Sequence, residues 1–386
     1  MPIINRLADF ADEITAWRRD MHAHPELLFE VHRTAGLVAE RLRQFGCDEV
    51  VTGIGRTGVV GVIRGRSAGS RTIGLRADMD ALPIEEQTGA PYKSQTPGLM
   101  HACGHDGHTA MLLGAAKYLA ETRNFDGTVV LIFQPAEEGG GGGNEMVQDG
   151  MLERFSIQEV YGMHNWPGMP VGHFAIRRGP MMAAADRFEI TIEGRGGHAA
   201  HPHKNVDSLL VGAQVVTALQ TIVARNADPL DAAVISVCSF KAGDAFNVMP
   251  QFANLLGTVR TLTPEMRDLC EERIKAVTQN IATAFGAKAN VNYMRGYPVT
   301  FNHDEQTDFM SKVAAQVGFG VDTTVPPQMG AEDFSYMLNQ RPGAYIFMGN
   351  GDSAECHHPA YDFNDEAIPY GASLWAKIVE ERLPAR

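Results

Sequence analysis

From Arg187 to Glu193 the chain reads Arg-Phe-Glu-Ile-Thr-Ile-Glu, a strict alternation of polar and apolar residues. That is the pattern of a strand with one buried and one wet face. It opens a block unlike what precedes it. A helical pattern over 206–225 carries Leu209, Ala213, Val216, Leu219 and Val223 at helical spacing. Strand patterns over 233–240 and 252–260, a helix over 264–285 and a strand over 289–294 complete the block. The order β-α-β-β-α-β is the ferredoxin-like plan, with helices on one face of an antiparallel sheet. Such a unit closes on itself, so 184–296 reads as an inserted domain and the rest of the chain must fold around the interruption.

The flanking segments alternate differently. Helical patterns over 6–19, 33–45 and 108–122 are interleaved with apolar strand runs at 58–63, 72–75, 128–133 and 160–164. The same mixture resumes after Tyr297, with helices over 305–316, 333–339 and 366–381 and a strand over 344–348. Alternation of this kind predicts an α/β layer, a mixed and largely parallel sheet flanked by helices, built discontinuously from 1–183 and 297–386. A length of 386 residues with 44% hydrophobic and 20% charged residues suits two domains. The net charge of −13 and the absence of a basic stripe argue against a nucleic-acid partner. Five scattered cysteines and no leader-like start imply a reducing cytoplasm, and no run suggests a membrane span.

Residues with chemistry in them gather at predicted strand ends, where α/β sheets display reactive groups. Cys103, His105, Asp106 and His108 crowd one loop and helix start, a set of soft and nitrogen donors suited to zinc-type ions. Glu137 and Glu138 follow the strand over 128–133, His164 ends the strand over 160–164, and His357 and His358 lie near the C-terminus. Asp78 and Asp80 follow another strand; such acids orient ligating histidines through the far ring nitrogen, and they also cap turns. The run Gly139–Gly143 lacks the Gly-Lys-Ser/Thr ending of a phosphate loop and reads as a flexible wall beside the site. Jointly these segments predict a metal site.

Nine motifs in order, including His22-x-His24-Pro25-Glu26, Asp78-x-Asp80-Ala-Leu-Pro83, His101-x-Cys103-Gly-His105-Asp-Gly-His108, Gln134-Pro-Ala-Glu137-Glu138, Gly197-His198-Ala199, Asn247-Val-x-Pro250 and His357-x-Pro359, resemble the M20 metallopeptidase family. The resemblance is to its amidohydrolase branch of hippurate, N-acyl-amino-acid and auxin-conjugate hydrolases, and covers nearly the whole chain. It implies that Cys103, His105, Glu138, His164 and His357 hold two divalent ions (Zn, Mn, Co or Ni), with Glu137 as general base. Asp78 stands where the wider family carries a ligating histidine, which leaves Asp78 and Asp80 as supports. The resemblance further implies a homodimer or dimer of dimers in which the inserted domain acts as lid and dimerisation unit. His198 would reach a partner subunit's site, its alternative being a residue that caps a helix entry. Asn247 and Arg260 are the substrate-binding candidates, because an N-acyl amino acid carries a carboxylate that an arginine can grip.

The reading is thus a metal-dependent amidohydrolase of N-acyl or N-aroyl amino acids. Rivals within the family are a dipeptidase, a metallo-carboxypeptidase or a deacetylase of a diaminopimelate precursor. A rival of another class uses Cys103 as a thiol nucleophile with His105 or His108 as its base.

Overall fold

The computed structural model describes residues 3–385, so the outermost positions of the predicted first domain, 1, 2 and 386, lie outside it. Two compact units emerge: one holds the chain up to Met181 with Phe301–Pro326 and everything from Asp333, the other holds Met182–Thr300 with Pro327–Glu332.

In the first unit eight strands form one mixed sheet in the order Glu49–Ile54, Gly58–Arg64, Asp126–Gln134, Ser67–Asp78, Glu159–Trp166, Gly343–Gly349, His173–Ala175, Gly320–Asp322. The four central strands run parallel, with Asp78 beside Gln134 and His164 beside Phe347, so their carboxyl ends open on one rim. Their residues read as continuous apolar runs because both faces are covered: Val129, Val130, Leu131, Ile132 and Phe133 are all fully buried. The helix His105–Thr122 is buried almost all round, as a helix within a core must be. It starts three residues earlier than the periodicity suggests. Gly104, at φ +86°, begins it through a left-handed turn, and a Cβ there would sit 2.3 Å from Asn165 Nδ2 and 2.5 Å from the Tyr361 hydroxyl. The first predicted helix is two, Asn5–Asp9 and Ala11–Ala23, meeting at Phe10.

The glycine run is not a flexible wall. Gly142 and Gly143 are buried and begin the helix Gly142–Gln148. A Cβ on Gly142 would lie 1.8 Å from the Pro135 carbonyl, and the Gly143 N–H donates to Asp333 at 2.8 Å. The glycines are there for close approach.

The second unit is an antiparallel sheet in the order Ala233–Lys241, Phe252–Thr261, Ala184–Glu193, Lys288–Arg295, carrying the helices Ser208–Arg225 and Pro264–Ala284. Taken in chain order the strands are arranged 2-3-1-4, the ferredoxin-like arrangement. Alternate residues Phe188, Ile190 and Ile192 are buried while Arg187, Glu189 and Glu193 are exposed. Each helix is capped: Asp207 accepts the Leu210 N–H at 3.0 Å, and Thr263 accepts that of Met266 at 3.2 Å with Pro264 in the first helical position. One sequence expectation needs correcting: Ser208–Arg225 does have the length and apolarity of a membrane span. Its buried residues Val211, Val215, Leu219 and Ile222 pack into this unit's own core, while Leu209, Leu210 and Val223 on the same helix are exposed.

Candidate metal centre

Three buried polar residues build the rim of the parallel sheet before any donor is placed. Arg76, fully buried, donates to Asp78 Oδ2 at 2.6 Å, to Gln134 Oε1 at 2.9 Å and to Asp333 Oδ1 at 3.1 Å, tying two strand ends to a C-terminal loop. Asp80 accepts the backbone N–H groups of Glu137 at 3.0 Å and Glu138 at 3.1 Å, which fixes the turn that carries both glutamates. Asn165 donates to the Cys103 carbonyl at 2.6 Å and accepts the Tyr361 hydroxyl at 2.8 Å. The Asp78-x-Asp80 motif marks Asp80 as a support, but the roles of Arg76 and Asn165 are visible in no motif, since each depends on partners far along the chain.

On this frame the donors converge. His105 Nδ1 lies 2.8 Å from the Asp80 carbonyl, so that nitrogen donates to it and Nε2 faces away. Nε2 is buried without a hydrogen-bond partner and lies 4.0 Å from Glu138 Oε1. His164 is arranged alike: Nδ1 sits 2.6 Å from the Asn165 carbonyl and Nε2 lies 3.3 Å from Cys103 Sγ. His357 Nε2 meets Glu138 Oε1 at 3.2 Å. Donor atoms of Cys103, His105 and His164 lie within 4.8 Å of one another, as do those of Cys103, Glu138 and His357, and those of His105, Glu137 and Glu138. Two neighbouring histidines are otherwise engaged, whereas His101 is buried with both ring nitrogens unpartnered. His108 uses both nitrogens, toward Asp78 at 2.6 Å and the Asn165 N–H at 2.9 Å, and His358 accepts the Ala360 N–H. Asp106 accepts from His22 at 2.8 Å.

The electrostatics ask for cations. Asp78, Asp80 and Glu137 are buried and Glu138 is nearly so. Burial pulls the His105 imidazole down, but Asp78, Asp80 and Glu138 outweigh it and hold it up at about 10. Burial pushes the Asp80 carboxyl upward, while burial of Asp78 is overcome by His105, Arg76 and His108, which hold it well below the usual range. Burial drives His164 well below its ordinary value, keeping it a neutral donor. A divalent ion fits this arrangement: it would displace the proton from the unpartnered His105 Nε2 and join a neutral His164, a thiol and carboxylates in a mixed set that zinc-type ions accept. The thiol-nucleophile alternative has no support. The neighbouring Cys356 side chain and burial both push the Cys103 thiol well up, the reverse of an activated nucleophile.

The model of peptidase family M20/M25/M40 matches residues 74–381. The chain belongs to that family. It is a metal-dependent hydrolase of amide bonds. It is 43% identical over 381 residues to hippurate hydrolase of Campylobacter jejuni, covering 98% of each chain. It is 40% identical over 392 residues to thermostable carboxypeptidase 2 of Saccharolobus solfataricus, again covering 98% of both. The crystal structure of the Bacillus subtilis YXEP protein, described as a dinuclear metal binding peptidase of the M20 family, superposes with a TM-score of 0.86 at 34% identity, covering 98% of this chain and 100% of that one.

The remaining predicted residues of this M20 chain lie in the second unit. His198 is exposed on the short strand Gly197–His198, paired with Val248–Met249; its Nδ1 accepts the Ala200 N–H at 3.1 Å. It caps no helix, since Asp207 does that for Ser208–Arg225. Asn247 is exposed, and its carbonyl accepts the Ala199 N–H at 3.1 Å. Arg260 is half-buried on the strand Phe252–Thr261, donating to the Thr258 hydroxyl and to the Val259 carbonyl.

Proposed function

We propose that this chain hydrolyses the amide bond of N-acyl or N-aroyl amino acids, releasing a carboxylic acid and a free amino acid. The observation that carries the reading is the convergence of Cys103, His105, Glu137, Glu138, His164 and His357 at one end of the parallel sheet, with the Nε2 atoms of His105 and His164 turned toward the other donors. Cys103, His105, Glu138, His164 and His357 would hold two divalent ions. When bound, such ions supply Lewis acidity that makes water nucleophilic near neutral pH. Glu137 is the general base: its carboxylate takes the proton of the attacking water and returns it to the leaving amine. Asp80 sets the direction of that carboxylate through the backbone, and Asp78 holds His108, which in turn supports Asn165.

The inserted unit, 184–296 by sequence, serves as lid and dimerisation domain. His198 donates to the developing oxyanion in the partner subunit's site, and Asn247 and Arg260 bind the substrate carboxylate. The similarity to hippurate hydrolase supports an aroyl amino acid as substrate. The five free cysteines support a cytoplasmic location.

The test is a panel of N-benzoyl, N-acetyl and dipeptide substrates on metal-loaded protein, with elemental analysis. Chelation should abolish activity and metal should restore it. Preferred turnover of dipeptides would move the assignment to the carboxypeptidase reading that the similarity to a carboxypeptidase also favours. Shared catalysis fails if His198→Ala and Glu137→Ala proteins, mixed and allowed to exchange subunits, recover no activity.

A further inference from the structure

Two of the five cysteines meet at the metal centre, and only Cys103 has a use there. The Cys356 side chain lies beside the Cys103 thiol. A backbone hydrogen bond fixes the meeting: the His357 N–H donates to the Ala102 carbonyl at 2.7 Å, one residue from each cysteine. His357 adopts φ +67°, a left-handed conformation uncommon for a residue with a Cβ. The bend accounts for an otherwise odd fact. In extended backbone neighbouring side chains point to opposite faces, yet here Cys356 and His357 both reach the Cys103 loop, one at the thiol and the other with its ring nitrogen within 4.8 Å of Sγ. Cys103 is buried and Cys356 is partly exposed, so one partner is open to small solutes and the other waits behind it. The remaining three, Cys47, Cys238 and Cys270, are also free.

We propose that Cys103 and Cys356 form a reversible disulfide, driven by a peroxide, that excludes metal from the centre. The Cys356 thiolate attacks one peroxide oxygen; the O–O bond breaks, a sulfenic acid forms on Cys356 and the other oxygen leaves as water. The Cys103 sulfur then attacks the Cys356 sulfur, the S–S bond forms and the sulfenic oxygen departs as a second water. Both thiols are oxidised and one peroxide is reduced, with the two thiol protons carried into water. Bound metal and disulfide compete for the same Cys103 sulfur. The antagonism rests on Cys103 as a metal ligand, whereas formation of the disulfide does not depend on what the enzyme hydrolyses.

The experiment uses the full chain with Cys238→Ser, which removes the exposed thiol, treated with hydrogen peroxide at graded zinc concentrations. Readouts are peptide mapping without reduction and metal release to a chromogenic chelator. A peptide linking Cys103 to Cys356 should dominate in metal-free protein and revert with dithiothreitol. Zinc at 100 times its Kd should lower the initial rate at which the link forms about 100-fold, since only the metal-free fraction can react. Cys356→Ser, with Cys356→Ala as a second variant should the first misfold, should bind zinc normally and lose it far more slowly under peroxide. The proposal is overturned if Cys103 oxidises without linkage to Cys356, if zinc does not suppress the link, or if both Cys356 variants release zinc at the parental rate. Thiol mapping and metal release need no substrate, so an error in the assigned substrate leaves this test intact.

Discussion

Replacing Asp80 by asparagine tests whether this residue acts mainly on the general base or on the metal donors. The Asp80 carboxylate accepts two backbone N–H groups, from Glu137 at 3.0 Å and Glu138 at 3.1 Å, while its main-chain carbonyl orients His105. The asparagine would keep the carbonyl and one acceptor oxygen but set an NH₂ against the other backbone donor. Losing one charge-assisted hydrogen bond to a buried group costs about 1.5–3 kcal/mol. Burial already disfavours the Asp80 charge, so the neutral side chain recovers part of that loss, and the net destabilisation should stay below about 2 kcal/mol. The kinetic effect should be larger than this suggests. A displacement near 1 Å of the Glu137 carboxylate costs roughly 100-fold in kcat, equivalent to about 2.7 kcal/mol of barrier. Urea unfolding of metal-free protein, elemental analysis and steady-state hydrolysis of N-benzoylglycine would measure the three quantities. The reasoning is refuted if kcat stays within about threefold of the parent, or if metal content falls in step with kcat, because Asp80 would then act on the ligands rather than on Glu137.

Glu137→Gln should lower kcat by about 10²–10⁴-fold with metal content unchanged, read by elemental analysis beside the activity assay. Burial lowers the His22 imidazole, but Asp106 and Glu86 outweigh it and push it up to about 9. The stability this confers, roughly 3 kcal/mol, is complete below pH 6.5 and lost as pH rises through 9, so urea midpoints should fall across that window and His22→Gln should flatten the fall. Asp186→Ala strands Arg267 and removes the acceptor for the Tyr293 hydroxyl at 2.8 Å and the Gly296 N–H at 3.0 Å, and should cost about 3–5 kcal/mol by denaturant titration. Gly104→Ala should reduce both activity and thermal stability, since the new methyl would need the space of Asn165 Nδ2 and a left-handed backbone; an unchanged melting temperature would contradict this.

Elements long enough to show a period were legible in the sequence. The strand Ala184–Glu193 alternates in burial as it does in polarity, and the buried strands of the parallel sheet announced themselves as apolar runs. The short or exposed strands toward the two ends of the sheet escaped for a physical reason. His173–Ala175 and Gly320–Asp322 are three residues each, too short for any period, and Glu49–Ile54 is largely exposed. The same division runs through the site. Residues whose chemistry is unusual at a strand end, such as Cys103 or the Glu137-Glu138 pair, stand out in a linear reading. Arg76, Asn165 and Asp333 do not, because their roles lie in hydrogen bonds to segments 58 to 257 residues distant. Glycine run 139–143 misled because composition cannot distinguish freedom to move from the need to pack closely.

The central strand Gly343–Gly349 has a consequence for how the protein is made. It pairs with Glu159–Trp166 in the middle of the sheet, yet about 175 residues separate the two along the chain. At a synthesis rate of about 5–20 residues per second, the apolar strand ending at Trp166 leaves the ribosome roughly 9–35 s before its partner does. Through that interval it offers an unpaired edge, the kind of surface that recruits other chains, while the second unit, contiguous but for Pro327–Glu332, is completed first. Yield in the cell should therefore depend on how well that half-built sheet is shielded, and slowing translation between residues 167 and 342 should lower it more than slowing translation after residue 350.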